Sequence, residues 1–288
     1  MKLCRFNDNR IGIVRADGVH DITGILEDLA PVRYPLPLGD PLIANLERLR
    51  PRMEKLADSA KPVPVDAVKF LSPVANPSKI IGTPVNYHAH RLEADKDKDI
   101  SVYSPSTRAR PIEEQGLFLK AVSALVGPSE GVATRFPDRR TDHEAELGLV
   151  IGRRASNVSD AEALSYVAGY AIALDMVVRG PEDRSFRKSI DSYAVLGPWL
   201  VTPDEIGDPA NLAFSLKVNG EIKQKSNTRL MVMNLPRQVS WASSFYALLP
   251  GDIIMTGTCE GVGRVVPGDT MSLEFERIGR MDVKVRAA

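Results

Sequence analysis

Thiols, imidazoles and net charge are all scarce in this chain. Its 288 residues include only two cysteines, Cys4 and Cys259, and four histidines. Two unpatterned thiols exclude a disulfide framework and a cysteine-rich zinc site, and they fit a reducing cytoplasm. Lysine plus arginine number 37 and aspartate plus glutamate 37. With no net charge, no broad field draws the chain to nucleic acid or to an anionic membrane. Long apolar runs are missing too: the most apolar stretch, residues 167–178, falls well short of the roughly 20 residues a bilayer crossing needs and contains Asp175. The polar run from Asn7 to Arg10 comes too early for a signal-peptide core. What remains is ordinary globular usage, 43% hydrophobic and 26% charged.

Proline and glycine punctuate the chain. Short strands are expected at residues 2–6 and 11–14, then a helix over 41–57 with Asp40 as N-cap, Pro41 at its first position and Pro51 kinking or ending it. Prolines at 62, 64, 73 and 77 favour extended linker. The expected organisation is therefore a small N-terminal domain, residues 1–70, and a larger domain, 71–288. Residues 95–114 lack apolar periodicity and read as a long loop, either a solvated insertion or a lid. Beyond them, residues 144–151 read as a strand and Ser159 to Glu162 as a capping box opening a helix to about residue 168. Further strands are expected at 170–177, 199–201, 213–218, 252–256, 270–276 and 281–285, with Asn219-Gly220 as a hairpin turn. The larger domain is mostly sheet.

Three familiar patterns fail on inspection. Gly127 to Gly131 matches G-x-S-x-G around Ser129, but no helix pattern follows as a nucleophile elbow requires. His143-Glu144 opens like H-E-x-x-H, yet position 147 is leucine. Gly257, Gly261 and Gly263 follow a strand without dinucleotide-binding spacing.

The chemistry lies elsewhere. Glu144 and Glu146 are two apart on a strand and project from one face, while Asp175 sits in an apolar strand beside Ala171 and Ala173, whose small side chains leave room. A buried acid needs a partner. Either the three carboxylates converge on a hard ion, Mg2+ first and then Mn2+ or Ca2+, or the glutamates face solvent and Asp175 pairs with Arg179 or Arg187. Lys188, preceding a glycine-proline turn, is positioned to stabilise negative charge or to be a surface lysine. The Thr256-Gly257-Thr258 turn offers hydroxyls and amides to a carboxylate, or simply ends a strand. On a helix, His90 and Glu93 share a face, so Glu93 can orient the imidazole as a general base.

These segments, together with Ile81-Gly82, Asn86-Tyr87, Phe118-Leu119-Lys120, Ser123-Ala124, Asp142 to Gly152, Gly169 to Asp175, Lys188 to Thr202, Val218-Asn219-Gly220 and Pro250 to Gly263, stand in one order across residues 80–263. In this the chain resembles the fumarylacetoacetate hydrolase family. The resemblance implies an α+β, β-rich fold, a mixed β-sheet roll with a small N-terminal domain, and a homodimer with Mg2+ or Mn2+, in the cytoplasm that the cysteine usage already suggests. It matches Glu144, Glu146 and Asp175 to the metal ligands, and His90 with Glu93 to the water-activating pair. It matches Lys188 to the enolate-stabilising lysine, and Arg179, Thr258 and Gly257 to the substrate-binding side. The implied reaction is hydrolytic carbon-carbon cleavage of a 2,4-diketo acid, such as an acylpyruvate or a fumarylpyruvate-like compound, in aromatic compound catabolism. A 2-oxo acid decarboxylase, an isomerase and a hydratase are the alternatives within the family, and a non-catalytic oxo-acid binder is the alternative outside it. Gly180, Glu182, Ile190 and Cys259 depart from the common pattern, where aspartate, glutamine, phenylalanine and proline are frequent.

Overall fold

A computed structural model describes residues 1–97 and 110–288. Most of the 95–114 stretch therefore lies outside the described residues. Its ends are not loop: a helix His88–Lys96 enters it and a helical turn Ile112–Gln115 leaves it.

The fold is α+β and rich in mixed sheet, as the resemblance implied. Among the described residues the main sheet runs, in spatial order, Pro62–Val63, Gly18–Asp21, Arg10–Arg15, Lys2–Phe6, Ala194–Val201, Val167–Asp175, Ala145–Ile151, Ile253–Met255, Ile80–Gly82 and Phe118–Lys120. Most neighbours are antiparallel, but Ile80–Gly82 runs parallel to Ile253–Met255. A second sheet contains Glu221–Asn227, Ala213–Val218, Thr270–Phe275, Gly279–Ala287 and Val132–Thr134. The strands of the first 70 residues extend the main sheet, because Lys2 and Leu3 pair with Val201 and Leu200.

Alternation along the central strands assigns two cores. Leu147, Leu149, Ile172 and Leu174 face the second sheet and pack with Leu216, Leu273 and Phe275. Val150, Ala171 and Ala173 face the other way and pack with Leu196, Met255 and the N-terminal helix residues Ile43, Leu49 and Met53. The room beside Ala171 and Ala173 is thus filled by core. An ideal Cβ on Gly148 would lie 2.6 Å from Leu196 Cδ1 and 3.2 Å from Ala173 Cβ.

Local signals fared unevenly. Asp40 caps as expected, accepting from the amides of Leu42 and Ile43 at 3.0 and 3.1 Å. The single expected helix is two, Pro41–Ala44 and Leu46–Ser59. Pro51 lies inside the second without ending it, because Pro51 and Glu47, whose carbonyl loses its amide donor, are both on the solvent side. Asn219 and Gly220 form the hairpin turn with φ of 51° and 86°. The Ser159 hydroxyl bonds the Glu162 carboxylate at 2.7 Å rather than a helix amide. Gly197-Pro198 sits within the strand Ala194–Val201, where a register slip opposite Tyr170 and Ile172 accommodates a residue that cannot donate. The helix Leu235–Phe245, capped by Asn234, was not expected.

Candidate metal centre

The antiparallel register of two central strands gathers the acids. Glu146 lies opposite Ala173, and the Asp175 amide donates to the Glu144 carbonyl at 2.9 Å. Cross-strand partners share a face, so Glu144, Glu146 and Asp175 emerge together where the strands leave the packed core. All three are buried, and one carboxylate oxygen from each lies within 4.8 Å of the others. Neither arginine of the alternative reading pairs with Asp175. Arg179 Nε instead donates to Asp142 Oδ2 at 2.8 Å and its Nη2 reaches Glu144 Oε1 at 3.4 Å. Arg187 donates to the carbonyls of Glu182 and Val178.

Two buried lysines complete the cluster. Lys188, at the C-terminus of the Arg184–Lys188 helix, donates to both Glu144 and Asp175. Lys120, at the end of the Phe118–Lys120 strand, donates to Asp175 and, at 2.9 Å, to the Tyr193 carbonyl. Lys120 had no role in the sequence reading. Its sequence signals were its place in the Phe118-Leu119-Lys120 segment of the family resemblance and a lysine on the Phe118 side of an otherwise apolar strand.

The acids divide electrostatically. Burial pushes Glu144 up, but the charges of Lys188 and Arg179 outweigh it and hold this carboxyl at about 2. Glu146 goes the other way: burial and then the negative charge of Asp175 raise it well above the ordinary carboxylate value, although Lys188 and the Gly257 amide oppose them. A buried acid driven to hold a proton by its acidic neighbours is the group a cation would relieve. The all-oxygen donor set suits a hard divalent ion, so the residues present fit the implied metal.

The Pro250–Gly263 segment supports the cluster from its far side. The Gly257 amide donates to Glu146 Oε2 at 2.8 Å, and the Thr258 hydroxyl donates to the Ala145 carbonyl at 2.8 Å. Gly257 has φ of 95°, and a Cβ there would sit 2.5 Å from Asn86 Cβ and 3.1 Å from the Thr83 carbonyl. Gly257→Ala is expected to cost about 1–3 kcal/mol of stability and to loosen Glu146. Paired thermal melts and Mn2+ titrations check this; unchanged values for both would contradict it.

His90 and Glu93 lie on the expected helix, with His90 Nδ1 3.5 Å from Glu93 Oε2 but without a hydrogen-bond partner among the described residues. Both Glu93 oxygens accept from the Gly261 amide, at 2.9 and 3.0 Å. Burial raises Glu93, yet His90 and the amides of Gly261 and Val262 outweigh it and leave the carboxyl below its ordinary value. The departures at 180 and 182 prove linked. Arg139 forms a forked pair with Glu182, at 3.0 and 2.7 Å, and also donates to the Arg179 carbonyl. A Cβ on Gly180 would meet Arg139 Nη2 at 1.9 Å, so glycine admits this pair. Ser129, of the rejected nucleophile pattern, accepts from the Phe70 amide at 2.9 Å.

A mixed-sheet fold with a buried carboxylate centre of this kind defines a metal-dependent enzyme. Residues 79–286 match the family model described as fumarylacetoacetate (FAA) hydrolase C-terminal, and the chain belongs to the fumarylacetoacetate hydrolase family. It is 52% identical over 287 residues to a maleylpyruvate hydrolase of Aquipseudomonas alcaligenes, covering 100% of both chains. It resembles the crystal structure of maleylpyruvate hydrolase from Sphingobium sp. SYK-6 in complex with manganese(II) and pyruvate, at 38% identity and a TM-score of 0.83 over 100% of both chains. A mitochondrial oxaloacetate tautomerase of Rattus norvegicus is 37% identical over 235 residues, 77% of this chain and 71% of its own.

Proposed function

We propose that the protein hydrolyses a carbon-carbon bond in a 2,4-diketo acid of the acylpyruvate type, with maleylpyruvate as the first substrate to test. The observation that carries this reading is the buried convergence of Glu144, Glu146 and Asp175 in a chain 52% identical to a maleylpyruvate hydrolase. These three carboxylates would hold Mg2+ or Mn2+. A divalent cation bound there supplies Lewis-acid polarisation of a 2-oxo acid.

The chain's own residues account for the remaining steps. His90, oriented by Glu93, takes a proton from the water that adds to the distal ketone. The bond between the third and fourth carbons then breaks, and its electron pair leaves as a pyruvate enolate. Lys188 stabilises that charge, and the proton returned from His90 gives pyruvate and a carboxylic acid. Arg179, Gly257 and Thr258 stand on the substrate side: the Arg179 guanidinium would hold the substrate carboxylate, while the Gly257 amide and the Thr258 hydroxyl hold Glu146 and the Ala145 carbonyl beneath it. Residues 1–70 form an appended unit and 71–288 the metal-dependent part, a division the family match over 79–286 supports. The protein acts in the cytoplasm as a homodimer; exposed Leu230 and Val232, the latter bonded through its amide to the Asn86 carbonyl, offer apolar surface to a second copy. Its partner is a small oxo acid, with no nucleic acid or membrane involved; no described helix is long and apolar enough to cross a membrane.

Turnover of maleylpyruvate by purified protein, abolished by chelation and restored by Mn2+ or Mg2+, tests the reading; turnover that survives exhaustive chelation refutes it. A pH signature accompanies it. Because the folded-state value of Glu146 is raised, its contribution to metal-free stability is present below the ordinary value of about 4.3 and is lost as pH rises through the raised one. Glu144, held at about 2, contributes above the ordinary value and loses that contribution as pH falls toward 2. The rise in Tm on adding Mn2+ is therefore expected to grow with pH above about 4.3, as the proton on Glu146 becomes easier to displace. Melting curves with and without Mn2+ across that range measure it, and a pH-independent increment would count against a protonated Glu146.

A further inference from the structure

We propose that Gln224 is a positioning residue that holds the metal ligands in register. The inference rests on the metal-dependent reading above. Gln224 belongs to the edge strand Glu221–Asn227, most of which is exposed, yet its side chain is fully buried. Its Oε1 accepts from the Ala145 amide at 2.9 Å and lies 3.2 Å from His143 Nδ1. Its Nε2 donates to the Thr258 hydroxyl at 2.8 Å and to the Cys259 carbonyl at 3.0 Å. A primary amide has two protons and two lone-pair sites, and all four are used here. The partners also fix its orientation. A backbone amide can only donate and a backbone carbonyl can only accept, so exchanging Oε1 and Nε2 would break both contacts. His143 must then carry its proton on Nδ1.

Each partner borders the acidic cluster. His143 precedes Glu144, Ala145 lies between Glu144 and Glu146, and Thr258 and Cys259 follow the Gly257 amide that holds Glu146. Thr258 in turn donates to the Ala145 carbonyl. Ala145 is therefore gripped at its amide by Gln224 and at its carbonyl by Thr258. Backbone pairing cannot do this on that edge, because the neighbouring strand Ile253–Met255 is in register only with Gly148, Leu149 and Val150. The last backbone bond on that edge among the described residues runs from the Thr256 amide to the Leu147 carbonyl at 3.2 Å; beyond it side chains take over, and the glutamates that need fixed positions begin there. The same edge strand also backs the His90 side of the centre. The Lys223 carbonyl fills the space where a Cβ on Gly261 would sit, at 1.8 Å, and the Gly261 amide holds Glu93.

A merely structural glutamine would affect melting but not the metal. The test is Mn2+ titration of the full chain without substrate, read by the electron paramagnetic resonance signal of free Mn2+, for the parent, Gln224→Met and Thr258→Val. Methionine keeps the length and removes all four hydrogen bonds. Thr258→Val keeps the contact to the Ala145 amide and removes the grip on its carbonyl, so it serves if Gln224→Met does not fold. The expected result is a Kd for Mn2+ raised about 10–100-fold in Gln224→Met and by a smaller factor in Thr258→Val, in protein whose circular dichroism matches the parent. A folded variant that binds Mn2+ within about threefold of a binding parent overturns the positioning role and leaves the functional reading standing. A parent that binds no Mn2+ overturns both.

Discussion

Asp175→Ala is expected to remove metal-dependent turnover and to destabilise the chelated protein by about 3–5 kcal/mol, the cost of breaking a buried ion pair by deleting one partner. Asp175 is fully buried and accepts from both Lys120 and Lys188. Without it Lys188 keeps Glu144, but among the described residues Lys120 keeps only the Tyr193 carbonyl. Burial already lowers the Lys120 ammonium below its usual value, against the opposing pull of Asp175. In the variant that opposition is gone, and part of the cost is met by loss of the lysine proton. Urea unfolding in chelator measures the difference. In Mn2+ at about 100 times Kd the parent gains about 2.7 kcal/mol and the variant gains none. A variant that unfolds at the parent's midpoint in chelator, or that gains equally from Mn2+, would show that Asp175 does not hold the cluster.

The second large effect separates reactions within the family. His90→Ala is expected to slow hydrolysis of a diketo acid by about 10²–10⁴-fold, the usual contribution of a general base, while Mn2+ affinity stays near that of the parent. His90 contributes no ligand atom to the acidic cluster and is held near Glu93 on a separate helix. Decarboxylation of a 2-oxo acid depends mainly on the cation and is expected to survive in the same variant. An isomerase is the rival reading within the family, and one relative is an oxaloacetate tautomerase. Measuring maleylpyruvate hydrolysis, oxaloacetate tautomerisation and oxaloacetate decarboxylation side by side resolves it. Hydrolysis that persists without the imidazole would refute the proposed base and favour a metal-only reaction.

Much of the centre is legible in the sequence, for local reasons. Strand alternation places Glu144 and Glu146 on one face wherever the strand lies, and helical spacing places His90 near Glu93. Asp175 in an apolar run announced a buried acid in need of a partner. The choice between a metal and an arginine for that partner was not legible, because it depends on the register that sets Asp175 opposite Glu144 and turns Arg179 onto Asp142.

Local pattern by itself determined the β-rich class, the Asn219-Gly220 hairpin, the Asp40 cap and the identity of the acids, since each depends on residues a few positions apart. Tertiary structure decided which cations meet those acids, and it filled the room beside Ala171 and Ala173 with core. It also brought Gln224 and Lys120 to the centre from strands 79 and 55 residues away from Ala145 and Asp175. The reason is physical: the charge state of a buried carboxylate is set by whatever lies within a few ångströms of it, and chain folding, not sequence distance, determines that neighbourhood.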